Sequence, residues 1–92
     1  MRQKYQIGER VKIAEKLPYY MSHFTANVEA IVQYTYSQAH GGKNIKDYSL
    51  GLIDDSGKIY KTTAWYKEDL LASISKDYAR GMEMLEDYNF RE

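Results

Sequence analysis

The sequence predicts a mainly β domain: a small, strongly bent five-stranded barrel with one α-helix appended at its C-terminal end. Three observations predict it. Three stretches between residues 10 and 54 alternate apolar and polar residues with the period of two that a half-buried strand requires. A turn sequence, Asp54-Asp55-Ser56-Gly57-Lys58, stands between the last of them and a stretch rich in Thr, Tyr and Trp. After residue 75 the apolar period lengthens to that of a helix.

Each element has its own reason. YQIGERVKI (5–13) reads as a strand entered through a turn, with Val11 and Ile13 alternating with Arg10 and Lys12. Residues 14–25 hold no period. Pro18, the only proline, disfavours both a helix and a central strand, so PYYMSHF (18–24) falls in a long early loop. In NVEAIVQYTY (27–36), Val28, Ala30, Val32, Tyr34 and Tyr36 share one face, and the β-branched and aromatic content favours a strand. SQAHGGKNIKD (37–47) is a loop, marked by Gly41-Gly42 and Asn44. DYSLGLID (47–54) sets Tyr48, Leu50 and Leu52 on one face, and KIYKTTAWY (58–66) returns as its hairpin partner. KEDLL (67–71) gives a single helical turn and LASI (71–74) a short closing strand.

The last stretch, SKDYARGMEMLEDYNFRE (75–92), carries Tyr78, Met82, Leu85 and Tyr88 on one helical stripe. Ser75 is the expected N-cap, and Asp77 stands where the helix dipole favours negative charge. Gly81 weakens such a helix by about 1 kcal/mol relative to Ala. A helix of this length is marginal alone in water, so its stripe must lie on the barrel or on a neighbouring chain. The expected division is a β domain over 1–74 and a helical tail over 75–92.

Composition narrows the classes. Ninety-two residues make one domain, and the absence of cysteine removes disulfides and thiolate metal clusters. Stability must come from an apolar core, for which 43% hydrophobic residues and ten tyrosines are available. No run approaches the roughly 18 apolar residues that cross a bilayer, and MRQKYQIGER lacks the apolar segment of a signal peptide. A soluble, cytoplasmic protein is expected. The net charge is zero but unevenly spread: residues 1–67 carry ten Lys/Arg against six Asp/Glu, and residues 68–92 carry three against seven. A zero sum argues against nonspecific nucleic-acid binding, which rests on a surplus of cations to release counterions.

With the elements placed, IGERVKI, VEAIV, YSLGLIDDSGKIYKTTAWY and KEDLLASI follow one another in an order that resembles a Src-homology-3-like barrel over residues 5–74. The opening through MSHF, the Gly-Gly loop and AWYKEDLL are also similar to small uncharacterised proteins of bacteria and their phages. The ALYDY opening of the peptide-binding domains of that class is missing, so the resemblance does not imply proline-rich peptide recognition. It implies a cytoplasmic accessory protein, in the host cell if phage-encoded, that binds and inhibits a partner.

Chemistry is sparse. Ser22 and His23 are adjacent, which on a strand points them apart, and no G-x-S-x-G context surrounds the serine. No catalytic residue is assigned, and the expectation is a protein that is not an enzyme. His23 and His40 stand 17 residues apart without a metal-binding motif, so no metal or cofactor is expected. HGGKN (40–44) lacks the spacing of a phosphate-binding P-loop. Asp54 and Asp55 read as turn formers.

The aromatic residues point to recognition. Barrels of this type bind between the early loop and the late hairpin, where aromatic rings with polar tips suit protein partners or stacked bases. The expected contact residues are Tyr19, Tyr20, His23, Phe24, Tyr36, His40, Lys43, Trp65 and Tyr66, on a binding module for a protein partner. The stripe Tyr78, Met82, Leu85 and Tyr88 is the expected surface of a homodimer. The alternative is a small-ligand binder that sequesters a nucleotide or related anion, as a phage counter-defence protein would, with tyrosines on the base and Lys43, Lys46 or Arg10 on phosphate.

Overall fold

The structure, a computed structural model, describes residues 4–21, 23–35 and 47–90. Among the described residues five strands form one antiparallel sheet: β1 (Arg10–Ile13), β2 (Glu29–Thr35), β3 (Asp47–Ile53), β4 (Ile59–Lys67) and β5 (Leu71–Ser75). A 3-10 turn, Glu68–Leu70, joins β4 to β5, and α1 (Tyr78–Phe90) follows. The strand order is β4-β3-β2-β1-β5.

That order corrects the expected barrel. Closure requires hydrogen bonds between the two edge strands. Among the described residues β4 pairs only with β3 and β5 only with β1, so the sheet stays open and is not a Src-homology-3-like barrel. Alternation along a strand reports which side chains turn inward. It carries no information about whether two edges meet.

Both faces of the sheet are covered. On the inner face Val11, Ile13, Ala30, Val32, Tyr48, Leu50, Tyr66 and Leu71 gather with Tyr5 into one buried cluster. On the outer face Ile31 and Ile59 meet Leu85 of α1, with Ile53 and Met84 beside them. This explains why β2 is buried at four consecutive positions, Ala30 to Gln33, instead of every second one.

Bulges reset the alternation. Ala30, Ile31 and Val32 pair with Leu52, Gly51 and Leu50, but Tyr34 then pairs with Ser49 and Thr35 with Tyr48. One extra residue on β2 reverses the faces from that point. Thr35 takes the buried side and Tyr34 turns out, 51% exposed, so Tyr34 does not face inward as its spacing from Val32 suggested. Across β3 and β4, Gly51 opposes Lys61 while Ser49 opposes Trp65. Two extra residues on β4 restore parity, and Tyr66 keeps the core face opposite Tyr48.

Residues 5–9 are a strap and not the first half of a strand. Glu9 N–H donates to the Gln6 carbonyl at 3.0 Å, which makes a turn with Gly8 at φ +94°. The fully buried Glu9 carboxylate accepts from Gln6 N–H at 3.2 Å and from the Ser73 hydroxyl at 2.6 Å. Tyr5 N–H donates to the Tyr48 hydroxyl at 3.2 Å, and the Tyr5 hydroxyl donates to the Leu71 carbonyl at 2.8 Å. The strap is thereby tied to β3 and β5 together. Tyr48 in turn donates to Glu68 Oε2 at 2.6 Å, and its phenol pKa is pushed well above the ordinary value, first by burial and then by that carboxylate.

The helix begins later than its sequence suggested. Asp77, not Ser75, is the cap: its Oδ1 accepts from Arg80 N–H at 3.1 Å and its carbonyl accepts from Gly81 N–H at 3.1 Å. The Ser75 hydroxyl accepts from Asp77 N–H at 3.2 Å, one turn element earlier. Gly81 and Leu85 are buried, Tyr78 and Met84 half-buried, and Met82 is 41% exposed. The covered edge of α1 therefore runs through Gly81 and lies on its own sheet. Gly81 is required there. A methyl group at that position would overlap the Gly8 carbonyl, and one on Gly8 would stand 2.6 Å from the Tyr78 carbonyl oxygen.

Candidate interaction surface

The early loop divides its apolar residues between the core and the solvent. Its base is closed by Ile13 N–H to the Val28 carbonyl at 2.9 Å and by Asn27 N–H to the Ile13 carbonyl at 3.1 Å. Asn27 adopts φ +62°, a left-handed conformation that Asn tolerates better than most residues. Within the loop Leu17 and Met21 pack against the inner core. Met21 N–H donates to the Pro18 carbonyl at 3.0 Å, a turn that places Tyr19 and Tyr20 at its two central positions. Their rings meet edge to face at 5.6 Å. A 3-10 turn, His23–Thr25, follows and buries Thr25 while turning His23 and Phe24 outward.

The outcome is a tip with three large aromatic side chains in solvent: Tyr19 at 93%, Phe24 at 96% and Tyr20 at 66% exposure. Aromatic rings held in water by a loop whose Leu17 and Met21 pack against the core are the kind of surface that partners cover.

The remaining expected contact residues are not gathered there. Tyr66 is in the core and Trp65 is half-buried on β4, so neither belongs to the tip. Tyr36, His40, Lys43 and Lys46 lie outside the described residues. Of the helical stripe, Leu85 is buried against Ile31 and Ile59 of the same chain, and the Tyr88 side chain lies outside the described part.

A second feature was not legible in the sequence. The last paired residues of β2 and β3 are Ala30 and Leu52, and beyond them the two strands part. The gap is an open depression of about 640 Å³ lined on one side by Arg10, Asn27, Val28 and Glu29, and on the other by Leu52 to Asp55, Gly57 and Tyr60. Its far wall is the β3–β4 turn. Asp54 Oδ1 accepts from Ser56 N–H at 2.9 Å, the Ser56 hydroxyl at 2.7 Å and Lys58 N–H at 2.8 Å, with Gly57 at φ +84°. These bonds, the Ser56 hydroxyl first, hold the Asp54 carboxyl below its ordinary pKa. Both aspartates thus sit in the turn, with Asp54 as its organiser. Arg10 and Glu29 form an ion pair at 2.6 Å across the near wall.

Among the described residues no group of three or more His, Asp or Glu could hold a metal ion, and no helix is long and apolar enough to cross a membrane. Compared with models of protein families, with curated proteins and with solved structures, the chain matches none. The Src-homology-3-like resemblance and the likeness to small phage and bacterial proteins therefore find no support in those comparisons, and the open sheet removes the first on geometry as well.

Proposed function

We propose that the chain is a non-enzymatic binding module that holds a protein partner through the tip of its early loop. Tyr19, Tyr20 and Phe24 supply the contact area, and His23 supplies a polar edge. The supporting observation is their exposure, 93%, 66% and 96%, on a loop that turns at residues 18–21 and again at His23–Thr25. Rigid aromatics lose little side-chain entropy on binding and dominate the energetics of protein interfaces, where truncating one central ring costs about 2 kcal/mol or more.

The nucleotide reading is not carried forward. Its cations Lys43 and Lys46 lie outside the described residues, and Arg10 is committed to Glu29. A homodimer through the α1 stripe is likewise not part of the proposal, because Leu85, its central residue, already packs on the chain's own sheet.

The test is site-specific crosslinking in the cells that produce the protein. A photoreactive phenylalanine at Tyr19 or Phe24 is expected to yield one defined adduct, and the same residue at exposed Ala79 on α1 none. A Tyr20→Ser change should weaken the adduct from position 24. Equal labelling from all three positions, or none from the tip at matched expression, would remove the tip as the binding surface.

A further inference from the structure

The tip of the early loop carries no fixed charge. From Leu17 to Phe24 the chain holds no Asp, Glu, Lys or Arg, and the charged residues nearest in sequence are Glu15 and Lys16 before it and Glu29 after it. One residue of the run can change that. His23 opens the 3-10 turn that also holds Phe24, so the imidazole belongs to the residue next to the ring with the highest exposure of the tip. The His23 carbonyl accepts from Ala26 N–H at 3.2 Å, which fixes its backbone in the turn. Its side chain is exposed and makes no hydrogen bond, ion pair or ring contact among the described residues. Tyr19 and Tyr20 are the other titratable side chains of the tip, and among the described residues no element sets a charged group within ion-pair distance of His23. Histidine is the side chain whose charge ordinarily changes between about pH 5 and 8. Protonation therefore takes the tip from no charge to one positive charge, beside the ring of Phe24.

We propose that the tip is received by an uncharged, apolar pocket of its protein partner, and that His23 gates the contact by pH: neutral imidazole is admitted and imidazolium is refused. This inference rests on the tip being the binding surface. Three exposed rings without a charged neighbour gain little from a charged partner surface, whereas an apolar pocket takes them out of water. An imidazolium carried into that pocket loses its hydration and finds no carboxylate in exchange. A pocket that admits only the neutral form binds in proportion to the neutral fraction. One pH unit below the ordinary histidine midpoint that fraction is about one in eleven. The contact therefore weakens by about tenfold between pH 7.5 and pH 5.5. A partner carboxylate set against His23 is the competing arrangement, and it reverses the sign, since binding would then tighten in acid.

The experiment follows the crosslinked adduct of the whole chain, with photoreactive phenylalanine at Tyr19, titrated into lysate of the cells that produce the protein. In the parent the half-saturating concentration should rise about tenfold from pH 7.5 to pH 5.5. His23→Gln is neutral at both values and should remove most of that rise, which separates the charge on His23 from titration of the partner. His23→Lys should bind at pH 7.5 as weakly as the parent does at pH 5.5. Added salt should not weaken the contact at pH 7.5, because no charge pair is there to screen. The His23 side chain is exposed and unbonded, so both variants should fold as the parent does, which thermal melting at the two pH values checks. An adduct as strong in acid as at neutral pH, one that strengthens in acid, a fall that His23→Gln keeps in full, a His23→Lys variant that binds as the parent does, or a loss with salt would each overturn the proposal. Any of these leaves the tip itself as the binding surface. The absence of an adduct at both pH values would instead remove the tip, so the two readings fail separately.

Discussion

The inner face of the sheet is filled by its own strands together with the Tyr5 strap and Leu17 and Met21 of the early loop, whereas the outer face is covered by a single helix. The inner cluster draws on many large side chains, among them the fully buried rings of Tyr5, Tyr48 and Tyr66. The outer cluster is small, and its geometry depends on how near α1 comes to the Gly8 turn. That approach is set by two glycines whose backbones touch. A wide core tolerates local change through its many contacts, while a close backbone crossing has no side chain that could yield. The two faces should therefore differ in how much a substitution costs, and variants can break the contrast.

Gly81→Ala is the most severe of these tests. In a solvent-exposed helix interior the change adds about 1 kcal/mol of stability. Here the methyl group overlaps the Gly8 carbonyl, so the sign reverses, with an expected loss of about 2–3 kcal/mol. Urea denaturation followed by the helical signal measures it, and a stability equal to or above the parent's would mean that α1 does not cross at Gly8.

On the inner face, Tyr48→Phe keeps the ring and removes one oxygen. That oxygen accepts from Tyr5 N–H and donates to Glu68, so its loss leaves a buried donor unmatched. The expected cost is about 1–2 kcal/mol, smaller than at Gly81 because the packing survives. A variant as stable as the parent would show that the strap is held by its packing alone.

A smaller effect belongs to the β3–β4 turn and is read from pH. The folded pKa of Asp54 lies below the ordinary carboxylate value because the Ser56 hydroxyl and Lys58 N–H bond its ionised form. A depressed folded pKa stabilises the fold fully above the unfolded value, near 3.9, and that contribution fades as the pH falls through the folded one. The thermal midpoint of Asp54→Asn should fall short of the parent's at neutral pH, and the gap should close in acid. A gap that stays constant with pH would mean that the turn is held by groups other than the carboxylate.

Much of the fold was legible in the residues, and the reasons for the exceptions are physical. Tyr48 and Leu50 kept the shared face that alternation assigned them, and Asp54 with Gly57 made the turn that their types require. Tyr34 escaped because one extra residue in β2 reverses the faces, and no local pattern announces a bulge. Barrel closure escaped because it depends on edges far apart in sequence. Gly81 looked like a weak point in a helix until its contact with Gly8 was seen, which joins residues from the two ends of the chain. At the surface, PYYMSHF could be seen to hold exposed aromatics, yet only the packing of Met21 separates the residue that anchors the loop from those that project. The depression was invisible for a related reason, since it arises where paired strands part.

The smallest expected change in stability, and the one that tests the loop's division of labour, comes from the double variant Tyr19→Ser, Phe24→Ser. Both side chains are more than nine-tenths exposed, so removing them takes little packing from the fold, and stability should stay within about 0.5 kcal/mol of the parent's. Met21→Ala in the same loop removes a side chain packed on the inner core and should cost about 1–2 kcal/mol, less than a fully buried site because Met21 is half-buried. Partner crosslinking should invert that order, vanishing in the double variant and surviving in Met21→Ala at temperatures where the fold persists. If the serine variant were the less stable of the two, the exposed rings would be supporting the loop, and their exposure would no longer point to a partner.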